Sequence, residues 1–280
     1  MKGSQALLQA QSVPIDKGNK RGWGRIELST DAVPANNIYH FVFDDPAPLK
    51  SVIITDDPEV TKPLQAALSA PADPSQTYET IVLPSARTAE IAWEETGVII
   101  WQTRLPEPDS TGAKQLTAHL EQSRLLLFLP PMNPSAHAFG GLRWKAWQDP
   151  GESVLIDWWR NDASLLRATR ASTALPVGEL EIQRWCLLEG ESIPLARLCE
   201  DHQRASILVR SFDENAYFLT TLPSAGTSSL AREGVVLYAL HHHALADGAA
   251  SLGNAQQRDA HPDALAEDLS PWKRLALESI

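Results

Sequence analysis

Four short apolar runs, at 51–55, 80–83, 97–101 and 125–129, constrain this chain more than any other feature. None alternates apolar with polar residues. A strand of that kind must be covered on both faces, which is the condition of a buried parallel sheet. Helical patterns lie between the runs. Asp57 is placed to cap a helix that starts at Pro58 and runs to about Ala70. A second helix is expected near 111–121, where Leu116 and Leu120 share one face at i,i+4 spacing. Strands and helices in alternation predict an α/β domain.

The flanking segments read differently. Residues 6–13 and 22–28 surround a turn-rich 16–20, which is a hairpin signal, and 38–43 is a third strand. Three strands cover too little face to stand alone, so 1–45 reads as a partial β-sandwich, the tail of an Ig-like domain. The cluster Asp44-Asp45-Pro46-Ala47-Pro48 is a boundary. The α/β domain is expected over 49–252. Its later strands, 179–188, 205–211 and 215–221, read as antiparallel additions at one side of the sheet, followed by a helix over 233–252. Residues 253–280 read as a tail or linker.

With 280 residues and 43% apolar composition the chain can build a real core. Its net charge of −11 disfavours nucleic acid and anionic lipid. No stretch reaches the roughly 18 apolar residues of a membrane span. The isolated chain is expected to be soluble, with membrane contact only through segments beyond it.

Most catalytic motifs lack a part here. The turn after the first run is Asp56-Asp57-Pro58, two acids where a phosphate loop carries glycines. The run at 125–129 ends in Pro130-Pro131-Met132, without the nucleophile of an elbow. Paired acids such as Asp56-Asp57 and Glu94-Glu95 read as solvated surface. Cys186 and Cys199 do not form a CxxC pair and read as free thiols, a single disulfide being the alternative. Of nine tryptophans, Trp144, Trp147, Trp158 and Trp159 crowd a short stretch. They read as a loop packed on the sheet edge, or else as an aromatic binding platform.

The sharpest string is HHALADG at 242–248. It resembles the HHxxxDG motif of condensation-type acyltransferases, which implies His243 as general base and Asp247 as a structural partner. A helical stripe through Tyr238, His242, Leu245, Ala249 and Leu252 instead makes His243 and Asp247 an exposed i,i+4 pair. Three consecutive histidines on a helix point about 100° apart and cannot share a metal ion.

Taken in order, GRIELSTDAVPANNIYHFVF (24–43), PLKSVIITDDP (48–58), GVIIWQTRLP (97–106), LLLFLPP (125–131), FGGLRWKAW (139–147) and VVLYALHHHALADGAASLGNAQQ (235–257) resemble the Bat-type (BatA-like, aerotolerance-operon) bacterial membrane proteins. The resemblance implies a β-sandwich followed by a flavodoxin-like domain of the class I glutamine-amidotransferase fold. Enzymes of that fold carry a cysteine at a strand-to-helix elbow, and this chain has none there. The implied role is a non-enzymatic interaction or scaffold module, extracytoplasmic and part of a longer, membrane-anchored protein. It implies protein partners, no cofactor and no metal.

Overall fold

The structure is a computed structural model. It describes residues 21–27, 38–44, 48–70, 77–122, 124–162, 164–168, 174–199, 205–212, 216–234 and 237. The chain divides into two compact units, Met1–Ala47 and Pro48–Ile280. In the first, β1 (Arg21–Glu27) pairs antiparallel with β2 (Ile38–Asp44), Arg21 opposite Asp44 and Glu27 opposite Ile38. The strand expected at 6–13 lies outside the described residues.

The second unit is built on one nine-stranded sheet. Its first strand, β3 (Leu49–Thr55), leads into α1 (Pro58–Leu68). Asp57 caps that helix as expected, its side chain accepting the Glu59 N–H at 2.9 Å. Then come β4 (Tyr78–Leu83), β5 (Thr96–Gln102), α2 (Thr111–Glu121) and β6 (Leu125–Phe128). β4 and β5 pair parallel to either side of β3, and β6 pairs parallel to β5. Ser110 caps α2 by accepting the Ala113 N–H.

The alternation of side chains along these strands makes two cores. Ile53, Val98, Ile100, Leu125 and Leu127 face Val60, Leu64 and Leu68 of α1. Val52, Ile54, Ile99, Trp101, Leu126 and Phe128 share the opposite core with Leu116 and Leu120 of α2. Full burial of each such side chain contributes about 1.5–3 kcal/mol. The parallel half is therefore covered on both faces, as its unbroken apolar runs require.

The remaining strands are β7 (Arg143–Gln148), β8 (Val154–Trp159), β9 (Glu181–Ile182), β10 (Trp185–Glu189), β11 (Ile193–Leu198), β12 (Ser206–Arg210) and β13 (Ala216–Leu219). The sheet order is β4-β3-β5-β6-β13-β12-β11-β8-β9, while β7 and β10 form a separate pair. Two expectations need correction. The stretch at 215–221 is no purely antiparallel addition: β13 is antiparallel to β12 but parallel to β6, and so joins the two halves. The single strand at 179–188 is two, in different sheets. Gln183 and Arg184 break it, because both of their N–H groups donate to the Thr227 carbonyl. A ladder sends successive N–H groups to opposite sides, so it cannot continue through that pair.

The loop after β13 is buried by its own hydroxyls. Thr227 Oγ1 and Ser228 Oγ each donate to the Leu222 carbonyl at 2.6 Å, and Ser229 Oγ accepts the Glu181 N–H at 3.0 Å. Of the helix expected at 233–252, most residues lie outside the described set. Leu237 is buried in the core beneath α1.

Candidate functional site

Parallel strands leave a crevice at their carboxyl ends where the chain order reverses. Here that point lies between β3 and β5, which carry their helices to opposite faces. A crevice of about 460 Å³ opens there, lined by Asp56, Asp57 and Pro58 after β3, Gln102, Thr103 and Arg104 at the end of β5, and Pro131, Met132 and Asn133 after β6.

The floor is a short relay. Thr55 and Gln102 are register partners on β3 and β5. Thr55 Oγ1 accepts the Asp57 N–H at 3.0 Å and donates its proton to Gln102 Oε1. Gln102 is only 5% exposed. With its oxygen committed to Thr55, its Nε2 has no acceptor among the described residues, and the open space it lines is the crevice.

The walls are pinned from behind. The Trp101 indole donates to the Arg104 carbonyl at 3.1 Å, and the Trp147 indole to the Pro131 carbonyl at 3.1 Å. A His137 ring nitrogen lies 3.2 Å from the Leu105 carbonyl and joins the two loops. Asp56 accepts the Ser85 N–H at 2.9 Å through Oδ1, as Asp57 accepts that of Glu59. Among the described residues, no Cys, Ser or His lines the crevice.

The four tryptophans singled out from the sequence take separate roles. Trp144 is buried at 2% exposure, 5.6 Å from the Phe218 ring. Trp147 is half-buried beneath Arg184, whose guanidinium stands 5.3 Å from its ring. A bulge explains why both face inward despite i,i+3 spacing. Trp144 and Trp147 pair with Leu188 and Cys186, three steps against two. Trp159 packs on Gly178, and Trp158, 43% exposed, stacks with Arg197 at 5.3 Å. Trp144 and Trp159 are thus packing residues. His243 and Asp247 lie outside the described residues.

Cys186 and Cys199 are both free, and burial pushes the Cys186 thiol up to about 11. Such a thiol is a poor nucleophile. A second buried polar group sits at the other end of the sheet. His119 of α2 is 2% exposed, its Nε2 donating to the Leu125 carbonyl at 3.3 Å. Burial, with the Arg124 charge beside it, pulls its pKa down to about 4. Arg124 is itself buried and donates to the Trp93 and Glu94 carbonyls.

The sequence pointed to Asp56-Asp57 only as an obstacle to phosphate, and did not single out Gln102, Arg104 or Asn133. The available signal was positional: Gln102 ends β5, Arg104 comes two residues after it, and Asn133 lies in the loop after β6.

Fold and crevice together define a mixed-sheet α/β protein with an open, polar strand-end site. The sequence matches no protein-family profile and no curated protein. Solved structures similar to it include the mmIFT52 N-terminal domain, at 14% identity and TM-score 0.48, covering 70% of this chain and 97% of that one. A candidate GMP synthase component from Thermoplasma acidophilum is similar at 9% identity and TM-score 0.40, covering 76% and 99%. A candidate ThuA-like protein from Parabacteroides merdae ATCC 43184 follows at 8% and 0.40, covering 71% and 90%. At these scores the fold class rests on the strand order above. Among the described residues, no helix is long and apolar enough to cross a membrane.

Proposed function

We propose that this chain is a non-enzymatic interaction module with a flavodoxin-like domain of the class I glutamine-amidotransferase type, serving as an extracytoplasmic scaffold within a Bat-type membrane-associated protein. The parallel strands support the fold reading. In order of appearance β3, β4, β5, β6 and β13 lie as second-first-third-fourth-fifth, the flavodoxin-like arrangement. The observation that carries the non-enzymatic reading is the crevice itself. Beyond the end of β6, Pro131 and Met132 line the wall, and none of the described lining residues is Cys, Ser or His. An acyl-transfer site needs a nucleophile and a base within hydrogen-bond reach of each other. The described lining offers carboxylates, a guanidinium, amides and the Thr103 hydroxyl, with no histidine or thiol beside them.

Incubating the purified protein with L-glutamine and measuring ammonia tests the reading. The expected result is release no faster than from glutamine alone, and release above that background overturns it. For the scaffold setting, the natural gene product should sediment with membranes and be reached by protease from the outer face. Recovery in the cytosolic fraction would remove the Bat-type assignment and leave the crevice reading standing.

A further inference from the structure

We infer that the corner where α2 meets β6 is an acid-sensitive latch: a proton on His119 releases the turn Trp93–Glu95 while the sheet stays folded. The inference is independent of the crevice, which lies at the other end of the strands. Three contacts hold the corner. The Arg124 guanidinium, 3% exposed, donates to the Trp93 carbonyl and, at 2.9 Å, to the Glu94 carbonyl. The Trp93 ring meets the His119 ring edge-on, with centroids 6.1 Å apart. The Glu95 carboxylate is bonded to Lys50 of β3.

This arrangement suits a neutral imidazole. His119 is 2% exposed, and its Nε2 donates to the Leu125 carbonyl, which leaves Nδ1 as a bare lone pair. Nδ1 is buried and has no hydrogen-bond partner among the described residues, and the same is true of the Trp93 indole nitrogen and Arg124 Nε. A proton on Nδ1 turns it into a further buried N–H donor and sets a second cation beside Arg124. Among the described residues, no acceptor or counter-charge answers it. On α2 the positions one turn back, Gln115 and Leu116, are uncharged. The Glu94 carboxylate lies 3.8 Å from Arg124 but is largely exposed, so its pull is weak. Glu95 is committed to Lys50, which Glu79 of β4 also approaches, at 3.9 Å.

Letting the turn go leaves the strands paired, so it is an opening smaller than unfolding. Its tie to Lys50 survives mild acid, because that bond holds the Glu95 carboxyl below its ordinary range. In the open corner His119 takes up its proton near 6.5, against about 4 in the closed one, so opening gains as pH falls from 6.5 toward 4. Release bares the Trp93 ring and the core it packs against, which includes Leu116 and Leu120.

Hydrogen exchange of the full chain, read by NMR from pH 7 to 4.5 with and without dilute urea, tests the latch. The Glu95 and Arg124 amides and the Trp93 indole N–H should lose protection roughly tenfold per pH unit below 6, with little response to urea. The Ile53 and Ile99 amides, in the central strands, should stay better protected and respond to urea. His119→Gln keeps an N–H donor for the Leu125 carbonyl and cannot take the proton, so corner protection in that variant should be flat with pH. If the variant does not fold, the comparison within the natural protein still decides. Corner groups that share the protection and urea response of Ile53 and Ile99 would open only by global unfolding, which overturns the inference. Corner protection that ignores pH, or the same pH dependence in His119→Gln, would overturn it equally.

Discussion

Thr55 and Gln102 face each other across β3 and β5, the threonine hydroxyl donating to the glutamine oxygen while it accepts the Asp57 N–H. One hydroxyl thus sets the orientation of a buried amide and the start of the α1 turn. Thr55→Val keeps the shape and leaves Gln102 Oε1 buried without its donor. It should cost about 1–3 kcal/mol, read as a lower urea midpoint at unchanged slope. Thr55→Ser should recover most of the loss. An unchanged midpoint in the valine variant would mean that the relay does not form.

His119 gives the fold an acid limit. Burial holds it at about 4 in the native state, while the unfolded chain protonates near 6.5. Above pH 6.5 both states are neutral and nothing is lost. Between 6.5 and 4 the unfolded chain binds the proton first, so stability falls as pH falls. From pH 7 to 5 the loss should be about 2 kcal/mol, measured by urea unfolding at each pH. His119→Leu should flatten that difference, and a slope of the same size in both proteins would point to other groups.

Gly190 and Gly141 touch, and they should respond differently to the same methyl group. A Cβ on Gly190, whose φ is +123°, would lie 2.3 Å from the Gly141 carbonyl oxygen. Gly190→Ala should destabilise by roughly 2–4 kcal/mol, from strain and clash together. Gly141 also has positive φ, at +75°, but a Cβ there meets nothing within 4 Å. Gly141→Ala should cost about 1–2 kcal/mol, the conformational part alone. Thermal melts of the two variants decide it, and equal losses would exclude the contact.

The two thiols should separate under a disulfide reagent. Cys186 is fully buried with its pKa near 11, whereas Cys199 is half-buried at the end of β11. In native buffer one thiol per chain should react, and Cys199→Ser should abolish it. The second should appear only with denaturant. Rapid modification of two thiols in the native protein would contradict the burial of Cys186.

The parallel half was legible because its physics is local. Residues 51–55 and 97–101 form short runs without apolar–polar alternation, Asp57-Pro58 announces the start of α1, and Leu116 and Leu120 mark one face of α2. The antiparallel half was harder. A strand at 179–188 looked continuous, since nothing local reveals that Gln183 and Arg184 share the Thr227 carbonyl, far along the chain. β7 escaped notice because its bulge puts Trp144 and Trp147 at helix-like spacing on one strand face. The crevice was legible only in part. Asp56 and Asp57 stood out as charges, but the meaning of Gln102 depends on Thr55, which pairing alone brings to it.

The pairing of β13 with β6 sets the tempo at which this protein can be made. Ala216 lies opposite Leu126, ninety positions earlier in the chain. The first four parallel strands can assemble from neighbours while the ribosome is still extending the chain. The seam at β6 must wait for β7 to β12 to be synthesised and folded back. Closing so long a loop precedes any reward from the contacts it makes, so this step should be slow. Until it completes, β6 presents a bare apolar rim, the sort of surface that chaperones hold and that like chains seize.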